Sequence, residues 1–316
     1  MAKAERALGL DSTSVCFPAA NASFVSDVIE EPRFDAAEHL LRFARYAGEF
    51  DVFVFHFGHS LTADSLADVP LLKANGKKVI FYFHGCDIRP SRENLQKYRY
   101  CVCRDCWPHR CNPNRDLALQ VARDFADAIW VSTPDLLEFV PGAALFQQPF
   151  EVGAVEWRAA LEREGEGTVR VVHAPSDRLL KGTKYIVSAV EQLRSSGLDI
   201  ELLLIENMSR EEALECYRHA DIAVDQLLMG SYGTFAVELM AIGVPTICFI
   251  REDLRSRYPE PPPVVNADPE TIGEVLRDLA GRRSDWPRIA REGRNFAESF
   301  HDSLVLARQA IATYGS

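Results

Sequence analysis

An α/β architecture on parallel sheets is predicted by three observations. Short apolar runs rich in β-branched and aromatic residues recur along the chain, longer segments of helical period separate them, and the two alternate from the first third to the last. A strand covered by helices on both faces reads as an unbroken apolar run. That predicts strands at Ser14–Phe17, Val52–Phe57, Lys78–Phe83, Ala128–Ser132 and Ala144–Gln147, then at Val169–His173, Glu201–Ile205, Ile222–Asp225, Thr246–Ile250 and Val264–Val265. Helices are expected between them at Asp35–Ala47, Arg115–Phe125, Thr183–Ser195, Arg210–His219 and Thr234–Ile242. From Asp285 onward, Ile289, Phe296, Phe300, Leu304 and Ile311 recur at helical spacing, so one long amphipathic helix or two close the sequence.

The 316 residues suit two domains of about 150 residues each. Each half reads as a Rossmann-like layer: 1–150, then 151–285, with 286–316 a helical segment expected to pack back on the first domain. The Glu- and Gly-rich stretch Phe150–Gly167 is the expected hinge region. A hydrophobic share of 47% fits a globular protein, and a net charge of -11 disfavours nucleic acid as a partner. The sequence contains no apolar run long enough to span a bilayer, and MAKAERALGLDS lacks a signal-peptide core, so a cytoplasmic location is expected.

The most informative stretch is GSYGTFAVELMAIGVP, Gly230 to Pro245. It sets one carboxylate, Glu238, inside an apolar helix behind a glycine-rich entry, and such a group needs hydrogen-bond donors. A helix opening near Thr234 would aim N–H groups and its positive dipole end at an anion, and Gly243 would stop it. Upstream, HAPSDRLLKGT follows a predicted strand and brings Arg178 and Lys181 to the carboxyl edge of the sheet, where open α/β folds bind ligands. Two such cations can hold a diphosphate; the alternative is a solvated loop.

Taken together, HAPSDRLLKGT, CYRHADIAVDQ and GSYGTFAVELMAIGVPTI resemble the C-terminal half of family 4 glycosyltransferases of GT-B architecture. The likeness is close over Val169–Val265 and looser in the first half, through FDVFVFHFG, KKVIFYFHGCDIR and ADAIWVSTPDLLEFVPGA. It implies two Rossmann-like domains facing a cleft, the N-terminal one binding an acceptor and the C-terminal one a nucleotide-sugar donor such as a UDP-sugar. It implies retaining transfer, with Arg178 and Lys181 neutralising the diphosphate, Glu238 accepting from the ribose hydroxyls and His84 facing the sugar. Backbone amides of Ser231, Tyr232, Gly233, Thr234 and Phe235 would meet donor sugar and phosphate. In such front-face transfer the departing phosphate helps take the acceptor proton, and no cofactor is required. A sugar-nucleotide-binding protein without catalysis is the alternative.

Two departures stand out. The family's first acidic position falls on Gly230, leaving Asp225 as the nearest upstream carboxylate, with a turn or helix cap as its other reading. AERALGLDSTSVCF reads as the helix and second strand of the expected N-terminal pattern, so the first domain is expected to be reduced.

Cys101, Cys103, Cys106 and Cys111, in CVCRDCWPHRC, are spaced closely enough to converge on one ion, with His109 as a substitute ligand and tetrahedral zinc as the natural occupant. Such zinc would brace an insertion at about 100–112 in the first domain. Reduced thiols in a loop are the other reading. Between Arg89 and Arg115 seven Lys or Arg stand against two acidic residues, a hint of a phosphate-bearing, glycan or lipid-linked acceptor or of peripheral membrane contact.

Overall fold

The computed structural model describes residues 1–17, 26–30, 35–63, 65–106, 111–157 and 167–315. The chain divides into two compact units. The first comprises Met1–Arg89, Cys111–Pro149 and Ser303–Ser316, and the second Pro90–Arg110 and Phe150–Asp302. The cysteine-rich segment therefore groups with the second unit up to Arg110, and the helix Ser303–Gly315 groups with the first.

In the first unit β1 (Val15–Cys16) and β2 (Val28–Ile29) form a short parallel pair. The main sheet runs in the order β3 (Val52–His56), β4 (Lys78–Phe83), β5 (Ala128–Val131), β6 (Ala144–Leu145), all parallel. Successive side chains of a strand point to opposite faces, and β4 shows why its sequence after Lys78 is apolar. Val79, Phe81 and Phe83 enter one core with Phe53, Phe55, Leu72 and Leu136. Ile80 and Tyr82 enter another with Trp130, Phe146, Leu306 and Ala310. The Tyr82 hydroxyl, buried there, donates to the Phe146 carbonyl at 2.8 Å. Helix Ser303–Gly315 thus covers the face of β4 opposite Arg115–Phe125, whose Ala118, Leu119 and Ala122 pack into the first core.

The second unit holds a parallel sheet in the order β11-β10-β9-β7-β8, where β7 is Val169–His173, β8 Ile200–Leu204, β9 Ile222–Val224, β10 Thr246–Cys248 and β11 Val265–Asn266. Helix Thr183–Ser195 buries Ile186, Ala189, Val190 and Leu193, which recur at the 3- and 4-residue steps of one helical face. Helix Thr234–Ile242 is apolar almost all round because it is the core: Phe235, Ala236, Val237, Leu239 and Met240 are all buried. Gly243 ends it in the left-handed conformation, φ 95°, that a helix C-terminus favours in glycine. Helix Arg210–Arg218 opens with a capping box between Ser209 and Glu212.

Strand and helix positions follow the apolar pattern to within a few residues, and the terminal stretch forms two helices, Trp286–Phe300 and Ser303–Gly315. Helices Asp68–Ala74, Ser91–Lys97 and Ile272–Gly281 were not expected, nor was β2. Much of the expected hinge stretch, 158–166, lies outside the described residues.

Candidate functional site

Strand order locates the site. β8 lies on one side of β7 and β9 on the other, so the chain reverses its direction of travel across the sheet between β7 and β9. At such a switch point the loops leaving the two carboxyl ends diverge and open a crevice, the usual ligand position in open α/β sheets. The segments leaving these two ends are the two that the sequence singles out, His173–Thr183 and Asp225–Thr234.

His173, wholly buried at the end of β7, fastens this edge. Its Nδ1 lies 2.7 Å from the Val224 carbonyl, which only accepts, so Nδ1 carries the proton and Nε2 accepts from the Thr183 hydroxyl at 2.9 Å. Burial pushes the imidazole down to about 4, and it stays neutral at ordinary pH.

Next along the chain, Asp177 accepts from the amides of Leu179 and Leu180 and so starts the single helical turn Arg178–Lys181, where the sequence suggests only a loop. Arg178 is exposed and makes a two-pronged bond to Glu206, Nε to Oε1 at 2.8 Å and Nη2 to Oε2 at 2.5 Å. Lys181 is buried and donates to Asp225 Oδ1 at 2.7 Å. The other oxygen of Asp225 accepts the Gly233 amide at 2.6 Å. Asp225, fully buried, thereby ties the lysine to the residue that opens helix Thr234–Ile242. Glycine at 233 leaves room for this contact: a Cβ would stand 2.8 Å from Lys181 Nζ, which would have to move.

The loop between Asp225 and Gly233 is held from inside. The Gln226 carboxamide oxygen accepts from Leu228 and Met229 amides at 2.8 and 2.6 Å, while its nitrogen donates to the carbonyls of Ser231 and Phe249. Gly230 has φ 77°, and a Cβ on it would lie 2.7 Å from Arg251 Cγ. The missing carboxylate is thus explained: both the backbone hand and the Arg251 side chain exclude one. Arg251 pairs with Asp253 at 2.7 Å, and its guanidinium sits 3.7 Å from the Tyr98 ring centroid, a cation–π contact from the cysteine-rich segment.

Glu238 stands one turn into the helix, on the same face as the exposed Thr234. Burial raises its carboxyl group above the ordinary range, and Arg210, 3.2 Å away, opposes that rise. Its partner in the ligand-free protein is therefore an arginine. The side chains of Tyr232 and Phe235 face inward: the Tyr232 hydroxyl is 2.9 Å from His301 Nε2, and Phe235 packs against Tyr217. Ser231 is fully buried. Thr234, Gly233 and Glu238 are the members of this set that solvent reaches.

In the first unit His84 follows β4, with its Nε2 3.0 Å from Nδ1 of His56 at the end of β3. Burial first, and then the His56 ring, hold its imidazole well below the usual range. Asp87 accepts from the amides of His84 and Gly85 at 2.8 and 2.5 Å and so shapes the turn. Arg89 forms a buried pair with Asp135 at 2.8 Å.

The four cysteines of the expected zinc site all lie among the described residues. Among the described residues no group of three or more His, Cys, Asp or Glu side chains stands close enough to hold a metal ion. Cys101, Cys103 and Cys106 lie on or beside the short turn Val102–Arg104 of the second unit, whereas Cys111 belongs to the first. Cys101 opens that turn, and hydrogen bonds from Cys103 push its thiol down. His109 lies outside the described residues.

Sequence reasoning missed Gln226, Arg251, Glu206, Arg210 and His56. A signal existed for Gln226: it is a polar residue within the apolar run IAVDQLL at a strand end, where only internal hydrogen bonding makes burial affordable.

No protein-family model and no curated protein matches the chain. Solved structures do resemble it. The sucrose-phosphate synthase of Thermosynechococcus elongatus is 15% identical, with a TM-score of 0.58 over 86% of this chain and 75% of that one. HepE of Anabaena, in complex with UDP-glucose, is 11% identical, with a TM-score of 0.60 over 91% and 86%. An α-glucosyltransferase in complex with UDP and a mismatched DNA is 13% identical, with a TM-score of 0.58 over 97% and 88%. At these identities the likeness is one of fold, and the fold is GT-B, built from two Rossmann-like units.

Proposed function

We propose that this protein is a glycosyltransferase that moves a sugar, with retention of configuration, from a nucleotide-diphosphate sugar to an acceptor yet to be identified. The observation that carries the proposal is the Lys181–Asp225–Gly233 linkage at the β7/β9 switch point. It fixes a lysine and a helix N-terminus side by side, with Glu238 one turn deeper. A cation beside a helix N-terminus favours a diphosphate, and a half-buried carboxylate favours ribose hydroxyls. That HepE is solved with UDP-glucose supports the donor class.

The chemistry assigned to the chain is electrostatic. Arg178 exchanges Glu206 for phosphate oxygens, and Lys181 and the Thr234 and Phe235 amides stabilise the charge that grows on the departing diphosphate. Such stabilisation is worth about 3 kcal/mol per well-placed donor. The departing phosphate takes the acceptor proton, so no nucleophile of the chain and no resident cofactor or metal enters the proposal. Residues 1–150 serve the acceptor and 151–285 the donor. A cytoplasmic location completes the reading; among the described residues no helix is long and apolar enough to cross a membrane.

The test is a panel of UDP-, GDP- and ADP-sugars offered to the purified protein, scored for binding by calorimetry and for donor hydrolysis. One donor should bind and turn over slowly, and Glu238→Ala should weaken it by about 10-fold or more, the value of a lost hydrogen bond to a charged group. Unchanged affinity would remove Glu238 from the site. Gly230, which leaves no carboxylate at the family's first acidic position, favours a second reading, a sugar-nucleotide-binding protein without catalysis. Tight binding with no turnover, even with candidate acceptors present, would establish that alternative.

A further inference from the structure

The His84 ring has an unusual setting. Its centroid lies 5.2 Å from that of His56, the two planes are within 10°, and the facing nitrogens are 3.0 Å apart. Coplanar rings with so short a nitrogen separation meet edge to edge, so one N–H points straight at the other ring's lone pair. His84 is also packed by Tyr82, at 4.1 Å between centroids, and by Phe57, at 4.3 Å. Phe57 adopts φ 57°, a left-handed conformation that is unfavourable for a bulky residue and persists only where surrounding structure enforces it. The Tyr82 hydroxyl is spent on the Phe146 carbonyl, and the Asp87 carboxylate on backbone amides. Among the described residues His56 is thus the only hydrogen-bond partner of the His84 ring.

The geometry points to His56 as a positioning residue: its Nδ1 holds the His84 ring in one orientation and couples the two tautomers, so that the nitrogen carrying the shared proton sets whether His84 Nδ1 donates or accepts toward a substrate. A neutral imidazole has one donor nitrogen and one acceptor nitrogen. Which of the two facing nitrogens carries the shared proton therefore decides what Nδ1 presents. The substrate itself rests on the glycosyltransferase reading; the pairing does not.

Two measurements separate the claims. In protein labelled with ¹⁵N-histidine, long-range nitrogen–proton spectra report ring tautomers, and His84→Gln assigns the His84 signals. In the wild-type protein the two rings should show complementary tautomers, one carrying its proton at the facing nitrogen and the other not, and in His56→Ala the His84 tautomer ratio should move toward that of a free neutral imidazole. Identical His84 signals in wild type and His56→Ala, with unchanged thermal unfolding, would overturn the inference. On the donor identified above, His56→Ala should lower kcat about 10- to 100-fold, the scale on which removal of a partner that orients an imidazole acts, and leave donor KM unchanged. Should the wild-type protein transfer no sugar, the glycosyltransferase reading fails while the spectra still decide the role of His56.

Discussion

His84 and His173 occupy equivalent places, each at the carboxyl end of an interior strand of its own parallel sheet. Their surroundings differ in one respect that decides their use. His173 is fully buried, and both of its nitrogens are satisfied by protein, one by the Val224 carbonyl and one by the Thr183 hydroxyl. His84 is only partly buried and has one nitrogen engaged. A fully satisfied imidazole fastens elements together; a half-satisfied one keeps a hydrogen-bonding edge for something else. The contrast extends to the sheets, since the described main sheet of the first unit runs in sequence order and the second has the switch point.

The comparison treats the second unit's edge as internally completed, and its largest test is Asp225→Ala. That change leaves Lys181 buried without its carboxylate and the Gly233 amide without its acceptor. Removing one partner of a buried pair costs about 3–5 kcal/mol. A urea midpoint equal to that of the wild type would show that Asp225 does not hold this edge. Adding Lys181→Met should recover part of the loss, because the stranded charge goes with it.

A smaller effect tests His173 itself. Its folded-state value of about 4 lies below the ordinary 6.5, so as pH falls the unfolded chain takes up this proton first. Stability from this group is complete above about pH 6.5 and is lost progressively toward about pH 4, by roughly 3 kcal/mol in all. Chemical denaturation across that range should show a shallower acid slope in His173→Gln. An unaltered slope would show that burial does not keep the His173 imidazole neutral.

The smallest effect concerns Gly230→Glu, which restores the family's carboxylate against a left-handed backbone and the Arg251 methylenes. Strain of this kind costs about 2 kcal/mol. Pairing it with Arg251→Ala should return the steric part and leave the backbone part, and full recovery in the double variant would show that φ at this position carries no cost.

How much of this was legible in advance depends on the kind of interaction. The strands were legible because β4 after Lys78 and β9 are unbroken apolar runs and β7 is valine-rich, and the helix Thr234–Ile242 because Gly233 and Gly243 bracket an apolar run. Arg178, Lys181 and Glu238 were legible as charges beside a predicted strand end or within an apolar helix. Their partners were not. Glu206, Arg210 and Asp225 reach them across 28, 28 and 44 residues of sequence, and only the packed sheet brings such groups together. Closeness along the chain is likewise no measure of closeness in space: among the described residues the four thiols form no group that could hold a metal ion. Gly230 was read as a loss, whereas Arg251 makes it a requirement.

The membership of helix Ser303–Gly315 in the first unit bears on how the protein is made. Leu306, Ala310 and Tyr314 cover Ile80, Tyr82 and Trp130, residues synthesised far earlier. A ribosome emitting this chain releases nearly all of the second unit before it releases that cover. The first sheet must wait with one apolar face bare, so of the two units the one translated earlier is the last to close, and the interval is when the chain most needs a chaperone.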